Sequence, residues 1–101
     1  MKPISIIIPY YKKEKYFKKT INSILNQTFR SFEVLIIFDE ENLNNFEFIK
    51  QIAKRDKRIK VFLNKKNHGA GVSRNIGIGK SKSKYIAFID ADDIWDKNKL
   101  K

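Results

Sequence analysis

The apolar run Tyr85–Ile89 ends in three carboxylates within four residues, namely Asp90, Asp92 and Asp93. The run is short and rich in aromatic and branched side chains, which predicts a buried strand. Crowded carboxylates repel one another when ionised unless a cation shares the site. Mg²⁺ and Mn²⁺ prefer oxygen ligands, and one or two carboxylates with the phosphates of a ligand can hold them. The segment therefore predicts a divalent-metal site for a phosphorylated ligand, or else a solvated loop whose Asp92 or Asp93 caps the next helix.

Strands and helices alternate along the rest of the chain. Four apolar runs predict buried strands, and Pro9 is expected to end the first of them: Ile4–Ile8, Glu33–Phe38, Ile59–Leu63 and Tyr85–Ile89. This alternation is typical of a parallel sheet that helices cover on both faces, with right-handed crossovers. The predicted fold class is therefore α/β, a Rossmann-like three-layer α/β/α arrangement with a mainly parallel sheet.

The predicted helices lie between these strands. Apolar residues at helical spacing define two inward faces, Phe17, Ile21, Ile24, Leu25 and Thr28 in the first helix and Phe46, Ile49, Ile52 and Ala53 in the second. Asn42 or Asn44 is expected to cap the second helix. The glycine-rich segment 69–79 is expected to begin as a loop and to become helical near Ser73, and Trp95–Leu100 indicates the start of another element.

Candidate binding residues follow the predicted strands. Pro9–Tyr11 follows the first strand, Asp39 the second, the segment 68–75 the third and Asp90–Asp93 the fourth. Open α/β sheets bind ligands outside the carboxyl ends of their strands, so these four features are expected at one edge of the sheet. Each alone also fits a structural role, the tyrosines as surface aromatic residues and Arg74 as a solvated cation.

Composition limits the class of protein. The chain has 101 residues, 42% of them hydrophobic, and a formal net charge of +11, which predicts one folded domain whose basic surface attracts polyanions. Lysine outnumbers arginine, which suits diffuse charge better than bidentate phosphate recognition, so no nucleic-acid binding is expected. Contact with an anionic membrane surface stays open. The chain has no cysteine, and its apolar runs are shorter than the roughly 20 residues of a membrane helix, so we expect a cytoplasmic protein, peripheral to the inner face of the membrane if that contact exists.

Five segments carry a further signal: Ser5–Tyr11, Ile24–Phe29, Phe32–Asp39, Gly71–Gly77 and Tyr85–Trp95 with its Asp-Ala-Asp-Asp-Ile-Trp. Together they resemble the N-terminal, nucleotide-binding half of a family 2 inverting glycosyltransferase with the GT-A fold. The resemblance covers essentially the whole chain. It implies that residues 1–101 form the part that binds a nucleotide-diphosphate sugar, and that the C-terminal acceptor half, with the general base, lies beyond residue 101.

The resemblance implies roles at the nucleotide base. Pro9 and Tyr11 match the base pocket, where an aromatic ring can stack on uracil. Asp39 matches the carboxylate that accepts a hydrogen bond from the base, and the N3–H of uracil is a suitable donor. Arg74 matches the cation near the nucleotide and its phosphates. The expected donor is therefore a nucleotide-diphosphate sugar, with UDP as its nucleotide.

The same resemblance implies that the acidic segment contacts the ribose, the diphosphate and a metal ion. Asp90 and Asp92 match contacts to the ribose and diphosphate, and Asp92 and Asp93 match the ligands of Mn²⁺ or Mg²⁺. The implied reaction of the full-length protein is sugar transfer to a hydroxyl of a glycan or glycolipid, with inversion, in the synthesis of cell-surface polysaccharide or glycolipid. The 101 residues alone are expected to be inactive. Apolar surface near Trp95 and along an edge strand is expected to cause self-association or marginal stability.

One departure from the family pattern lies after the second strand. The family has two acids and then Gly-Ser, whereas this chain continues from Asp39 with Glu40, Glu41 and Asn42, so a different loop is expected. Two other classes of protein remain as alternatives. A basic nucleic-acid-binding domain would explain the net charge but not the acidic edge, and a receiver-like signalling domain would place acids after strands.

Overall fold

The computed structural model describes residues 3–40, 43–64 and 69–100. Within these ranges the elements are β1 (Ile4–Tyr10), α1 (Glu14–Leu25), β2 (Phe32–Phe38), α2 (Leu43–Ala53), β3 (Ile59–Leu63), α3 (Ala70–Lys80) and β4 (Tyr85–Phe88). All strand pairings are parallel and the order across the sheet is β3-β2-β1-β4. The predicted α/β class with a parallel sheet is confirmed.

The two central strands, β1 and β2, are apolar at nearly every position because helices cover both faces of the sheet. On one face, Ile6, Ile8 and their β2 neighbours pack against α1 and α2. On the other face, Ile7 of β1 and two β2 residues pack against Ile76 of α3. The result is a three-layer α/β/α arrangement in which a continuous apolar run buries every second residue on each side.

Helix α1 is held to the sheet by the residues that the sequence predicted. Phe17, Ile21 and Ile24 lie on one face of the helix and are fully buried. The helix ends at Leu25, however, so Thr28 lies outside it, in the loop that leads to β2. The predicted helix is therefore confirmed without its last turn.

Pro9 does not end the first strand, which continues to Tyr10. The carbonyl of Ile7 accepts a hydrogen bond from Ile89 on the β4 side, and that of Tyr10 accepts one from Asp39 on the β2 side. Backbone groups alternate between the two sides of a strand, so Pro9 faces the β4 side like Ile7. Because the β4 pairing has already ended there, the missing N–H of Pro9 costs no ladder hydrogen bond.

Helix α3 begins at Ala70, earlier than the predicted start near Ser73. The residue before it, Gly69, has a φ of 88°, a conformation that favours glycine and turns the chain directly into the helix. Further along, a Cβ atom at Gly77 would lie 2.5 Å from Cγ2 of Ile7. Glycine at this position therefore lets α3 approach the central strand closely.

Of the two predicted caps of α2, one is wrong and the other falls on a residue outside the described ranges. Asn44 is inside the first turn of α2 rather than before it, and Asn42 lies outside the described residues, as does His68 at the start of the segment 68–75. Trp95–Leu100 forms turns and no regular element, so the expected further element is wrong as far as residue 100. Trp95 is half-buried and packs against the core below α1, so only part of its surface is free.

Candidate functional site

The carboxyl edge of the sheet brings together most of the residues that the sequence singled out. A cleft of about 290 Å³ opens there between the end of β1 and the loop after β4; its lining residues are Pro9, Tyr11, Lys13, Asp90, Ala91 and Asp92. Four of the predicted site residues therefore share one cleft. Asp39, Arg74 and Asp93 are not among its lining residues.

The two tyrosines after Pro9 have different environments. Tyr10 is fully buried, and its ring stacks on Phe38 with 5.5 Å between centroids. Burial raises the pKa of its hydroxyl, and so does the hydrogen bond that this hydroxyl donates to Glu14 at 3.1 Å. Tyr11 is 40% exposed and faces the cleft, so it presents an aromatic ring to a ligand while Tyr10 fixes the strand below it.

Asp39 is buried at the end of β2 and both of its oxygens are engaged. Oδ1 accepts a hydrogen bond from the side-chain amide of Asn64 at 3.0 Å, and Oδ2 accepts one from the backbone N–H of Gly69 at 2.9 Å. This carboxylate therefore joins the ends of β2 and β3 to the start of α3.

The acids of the cleft lie beside cations. Nζ of Lys13 is 3.4 Å from Oδ2 of Asp92, and Nη2 of Arg74 is 4.0 Å from Oδ1 of Asp90. These side chains are between 40% and 65% exposed, so each pair contributes little to stability. Their effect is to place two positive and two negative groups around one opening, where phosphate oxygens and a metal ion could take over each partner.

Asp93 has a different environment from Asp92. Its backbone N–H donates to the carbonyl of Asp90 at 3.0 Å and closes the turn, while its side chain is exposed outside the cleft lining. No cluster of three His, Cys, Asp or Glu side chains able to hold a metal occurs in the described parts of the chain. The side-chain atoms that could ligate a metal here are carboxylate oxygens. Such ligands suit Mn²⁺ or Mg²⁺ when a diphosphate supplies further oxygens.

The loop after β2 differs from the family pattern in a way that the structure explains in part. Glu40 is 2% exposed; its Oε1 accepts a hydrogen bond from the Asn45 side chain at 3.2 Å, whereas no hydrogen-bond partner of its Oε2 occurs among the described residues. Burial raises the pKa of Glu40, and the Asn45 hydrogen bond opposes this shift. Glu40 thus ties the loop to α2, below the cleft rather than in it.

Sequence reasoning missed two groups that shape the site. Lys13 lies two residues after Tyr11, and only its place beyond the first strand could have indicated a ligand contact. Thr20 is fully buried on α1, and its hydroxyl donates to the carbonyl of Ala91 at 3.0 Å. Thr20 and Ala91 are 71 positions apart, so no local pattern could show this contact.

A larger cavity, of about 570 Å³, lies at the opposite edge of the sheet and is lined by Arg30, Glu33, Asp56, Lys57, Arg58 and Lys60. Four of its six charged groups pair with one another. Arg58 contacts Asp56 at 2.8 Å and Lys60 contacts Glu33 at 3.7 Å. These pairs fix the strand beginnings, and the cavity is remote from the acidic segment.

None of the helices within the described ranges has the length and hydropathy that a membrane span requires.

Comparison with known sequences identifies the family of this chain. The family model "Glycosyl transferase family 2" matches residues 5–101. An uncharacterized glycosyltransferase of Rickettsia bellii is 47% identical over 97 residues, which are 96% of this chain and 14% of that protein. The Escherichia coli UDP-Glc:alpha-D-GlcNAc-diphosphoundecaprenol beta-1,3-glucosyltransferase WfgD is 38% identical over 97 residues, 96% of this chain and 38% of that protein. The chain thus spans well under half the length of these relatives.

Solved structures share the fold. The crystal structure of S. aureus TarS in complex with UDP-GlcNAc superposes with a TM-score of 0.83 at 31% identity, over 96% of this chain and 28% of that one. The mannosyltransferase PcManGT from Pyrobaculum calidifontis, in complex with GDP-Man and Mn²⁺, gives a TM-score of 0.85 at 14% identity, over 95% of this chain and 29% of that one, and shows the fold alone. Neither comparison supports a nucleic-acid-binding or receiver-like domain. The GT-A fold that the resemblance implied is confirmed, and the chain belongs to glycosyl transferase family 2.

Proposed function

We propose that this chain binds the nucleotide of a UDP-sugar at the carboxyl edge of its sheet, as the donor-binding part of a glycosyltransferase. The observation that carries the proposal is the cleft between Tyr11 and Asp92, which combines an aromatic ring, carboxylates and a lysine at one opening. The family match and the likeness to a UDP-GlcNAc complex at 31% identity support the same ligand.

The base is assigned to the β1 and β2 ends. Tyr11 stacks on uracil, Pro9 forms the floor of the pocket and Asp39 accepts the N3–H of the base. This assignment is supported by the exposure of the Tyr11 ring and by the fixed position of Asp39, which its hydrogen bonds to Asn64 and Gly69 hold in place. A preset acceptor favours uracil over cytosine, because cytosine has no N3–H donor.

The ribose and diphosphate are assigned to the acidic segment and its cations. Asp90 and Asp92 contact the ribose and diphosphate, and Asp92 with Asp93 holds Mn²⁺ or Mg²⁺. When bound, the metal would neutralise the charge that develops on the leaving diphosphate. Arg74 is released from Asp90 and turns to the phosphates, and this is supported by the long 4.0 Å distance of the Arg74–Asp90 pair and by the exposure of both side chains.

The reaction of the whole protein belongs to the same proposal. We assign transfer of the sugar with inversion to a hydroxyl of a glycan or glycolipid, in cell-surface polysaccharide or glycolipid synthesis on the cytoplasmic side. The name of the E. coli relative, which acts on a diphosphoundecaprenol-linked sugar, supports a lipid-linked acceptor. The basic surface would suit an anionic membrane. The general base is expected beyond residue 101.

A nucleotide panel tests the proposal. UDP should raise the melting temperature of the chain more than CDP or ADP at equal concentration with Mn²⁺ present. Tyr11→Ala should abolish most of that protection. Tyr16→Ala is the matched control, because Tyr16 is similarly exposed, at 47%, and does not line the cleft, so its variant should keep the response. Equal protection by all three nucleotides would contradict the assignment of the base pocket.

A further inference from the structure

The backbone of the segment containing the acids is bound by two polar side chains of α1, Thr20 and Ser23, and by Gln27, which lies two residues beyond the end of the helix. The Thr20 hydroxyl donates to the carbonyl of Ala91 at 3.0 Å. The Ser23 hydroxyl oxygen accepts the backbone N–H of Trp95 at 3.1 Å. The Gln27 amide donates to the carbonyl of Asp96 at 2.6 Å and accepts the N–H of Leu100 at 3.2 Å. Successive parts of the segment 91–100 are thereby tied to α1 and to Gln27 after it.

Thr20 and Gln27 are buried, so their polar groups need the hydrogen bonds that they make with this segment. Thr20 is 0% and Gln27 1% exposed; Thr20 sits on the buried face of α1, which is otherwise apolar, and Gln27 lies just after the helix. A buried hydroxyl or amide is costly unless its hydrogen bonds are made, and here the partners come from the acidic segment. The segment itself forms turns and offers few backbone hydrogen bonds of its own, so α1 and Gln27 supply the restraint.

Thr20 acts at the centre of the acidic motif. Ala91 lies between Asp90 and Asp92 and is 3% exposed, whereas the two carboxylates beside it are open to solvent. Fixing the Ala91 carbonyl sets the backbone from which both acids project. Groups that orient the ligands of a metal change its affinity although they do not touch it.

We propose that Thr20, assisted by Ser23 and Gln27, is a positioning residue that holds Asp90 and Asp92 in the geometry needed for a metal–diphosphate complex. The inference rests on the proposed function, since it assigns a role toward the same ligand. It predicts that removal of the Thr20 hydroxyl weakens binding of UDP with Mn²⁺ more than it weakens the fold.

The test compares four forms of the 101-residue chain by calorimetry with UDP, in Mn²⁺ and in EDTA, together with their melting temperatures. Thr20→Val keeps the shape of the side chain and loses the donor, and should lower UDP affinity in Mn²⁺ about 10- to 100-fold. Thr20→Ser restores a hydroxyl and should bind close to wild type. Ile49→Val, a buried change on α2, controls for loss of stability and should keep wild-type affinity.

Each outcome decides the matter. Wild-type affinity in folded Thr20→Val, or affinity losses in Thr20→Ser and Ile49→Val that follow melting temperature, would overturn the positioning role. If Thr20→Val does not fold, Ser23→Ala takes its place with the same expectation, because Ser23 is only half-buried. Failure of wild type to bind UDP in Mn²⁺ would instead overturn the proposed function, and the positioning role with it.

Discussion

The carboxylate of Asp39 accepts the backbone N–H of Gly69 at 2.9 Å and so joins the end of β2 to the residue that precedes α3. The same carboxylate is the proposed partner of the nucleotide base. One residue therefore links the conformation of the cleft edge to ligand selection, and its removal should affect both the fold and the choice of base.

Asp39→Ala should lower the free energy of unfolding by about 1–3 kcal/mol, because Gly69 N–H loses its buried acceptor. Asp39→Asn should lose less, since its amide oxygen can still accept from Gly69 while Asn64 turns its own amide to match. Urea denaturation of the two variants measures the difference. Equal stability of Asp39→Ala and wild type would show that these hydrogen bonds do not hold the edge together.

Gly77→Ala should destabilise the protein, because the new Cβ would meet Ile7 Cγ2 at 2.5 Å in a fully buried part of the core. The expected loss is about 1–3 kcal/mol, reduced by the better helix propensity of alanine. Gly79→Ala on the same helix is the control, because its Cβ would have no neighbour within 4 Å. That variant should gain up to about 1 kcal/mol, and a loss in both variants would point to the helix rather than to the contact with Ile7.

Asp56 should make the fold sensitive to acid. Its hydrogen bonds with Arg58 hold its pKa at about 2, below the value of about 3.9 for an unfolded aspartate. A lowered native pKa contributes stability that is complete above pH 4 and is lost as the pH falls toward 2, here about 2 kcal/mol. Denaturation between pH 2 and 5 measures the slope, which Asp56→Asn should reduce; an unchanged slope in that variant would assign the acid sensitivity to other groups.

Self-association of the 101-residue chain stays a prediction, and the structure narrows its expected location to the edge strand β4. Within the described residues β4 pairs on one side only, with β1, and exposes Tyr85, Ile86 and Phe88. Added salt should strengthen association by screening the charge of +11. Light scattering should show that Ile86→Lys abolishes this effect and that Leu43→Lys, an exposed change on α2, does not. A monomer at every salt concentration would contradict the prediction.

The sequence predicted those strands and helices whose burial follows from the local pattern of apolar residues. β1 and β2 are apolar at nearly every position because both of their faces are covered, and α1 repeats its buried residues at helical spacing. Tyr11, Asp90 and Asp92 line one cleft. The sequence predicted that they lie close together because each follows a strand, and parallel strands end at one edge of the sheet.

What the sequence could not show depends on partners distant in the chain. Pro9 is compatible with a strand only because β4 has already ended beside it. The start of α3 depends on the conformation of Gly69 and its contact with Asp39. The hydrogen bond from Thr20 to Ala91 joins positions 71 residues apart. The ion pair of Lys13 with Asp92 likewise forms only after folding.

Calorimetry of UDP binding with and without a divalent metal tests the central claim most directly. UDP should bind more tightly in Mn²⁺ than in EDTA, and Mn²⁺ alone should bind weakly, because the carboxylates of the cleft need the oxygens of the diphosphate to complete the metal site. Asp92→Ala should remove the metal dependence while leaving the chain folded, and Asp93→Ala, as the other predicted ligand, should do the same. Asp96→Ala, an exposed acid outside the cleft lining, serves as the control. Equal UDP affinity in Mn²⁺ and in EDTA, or no UDP binding in either, would contradict the account of a metal-assisted nucleotide-sugar site.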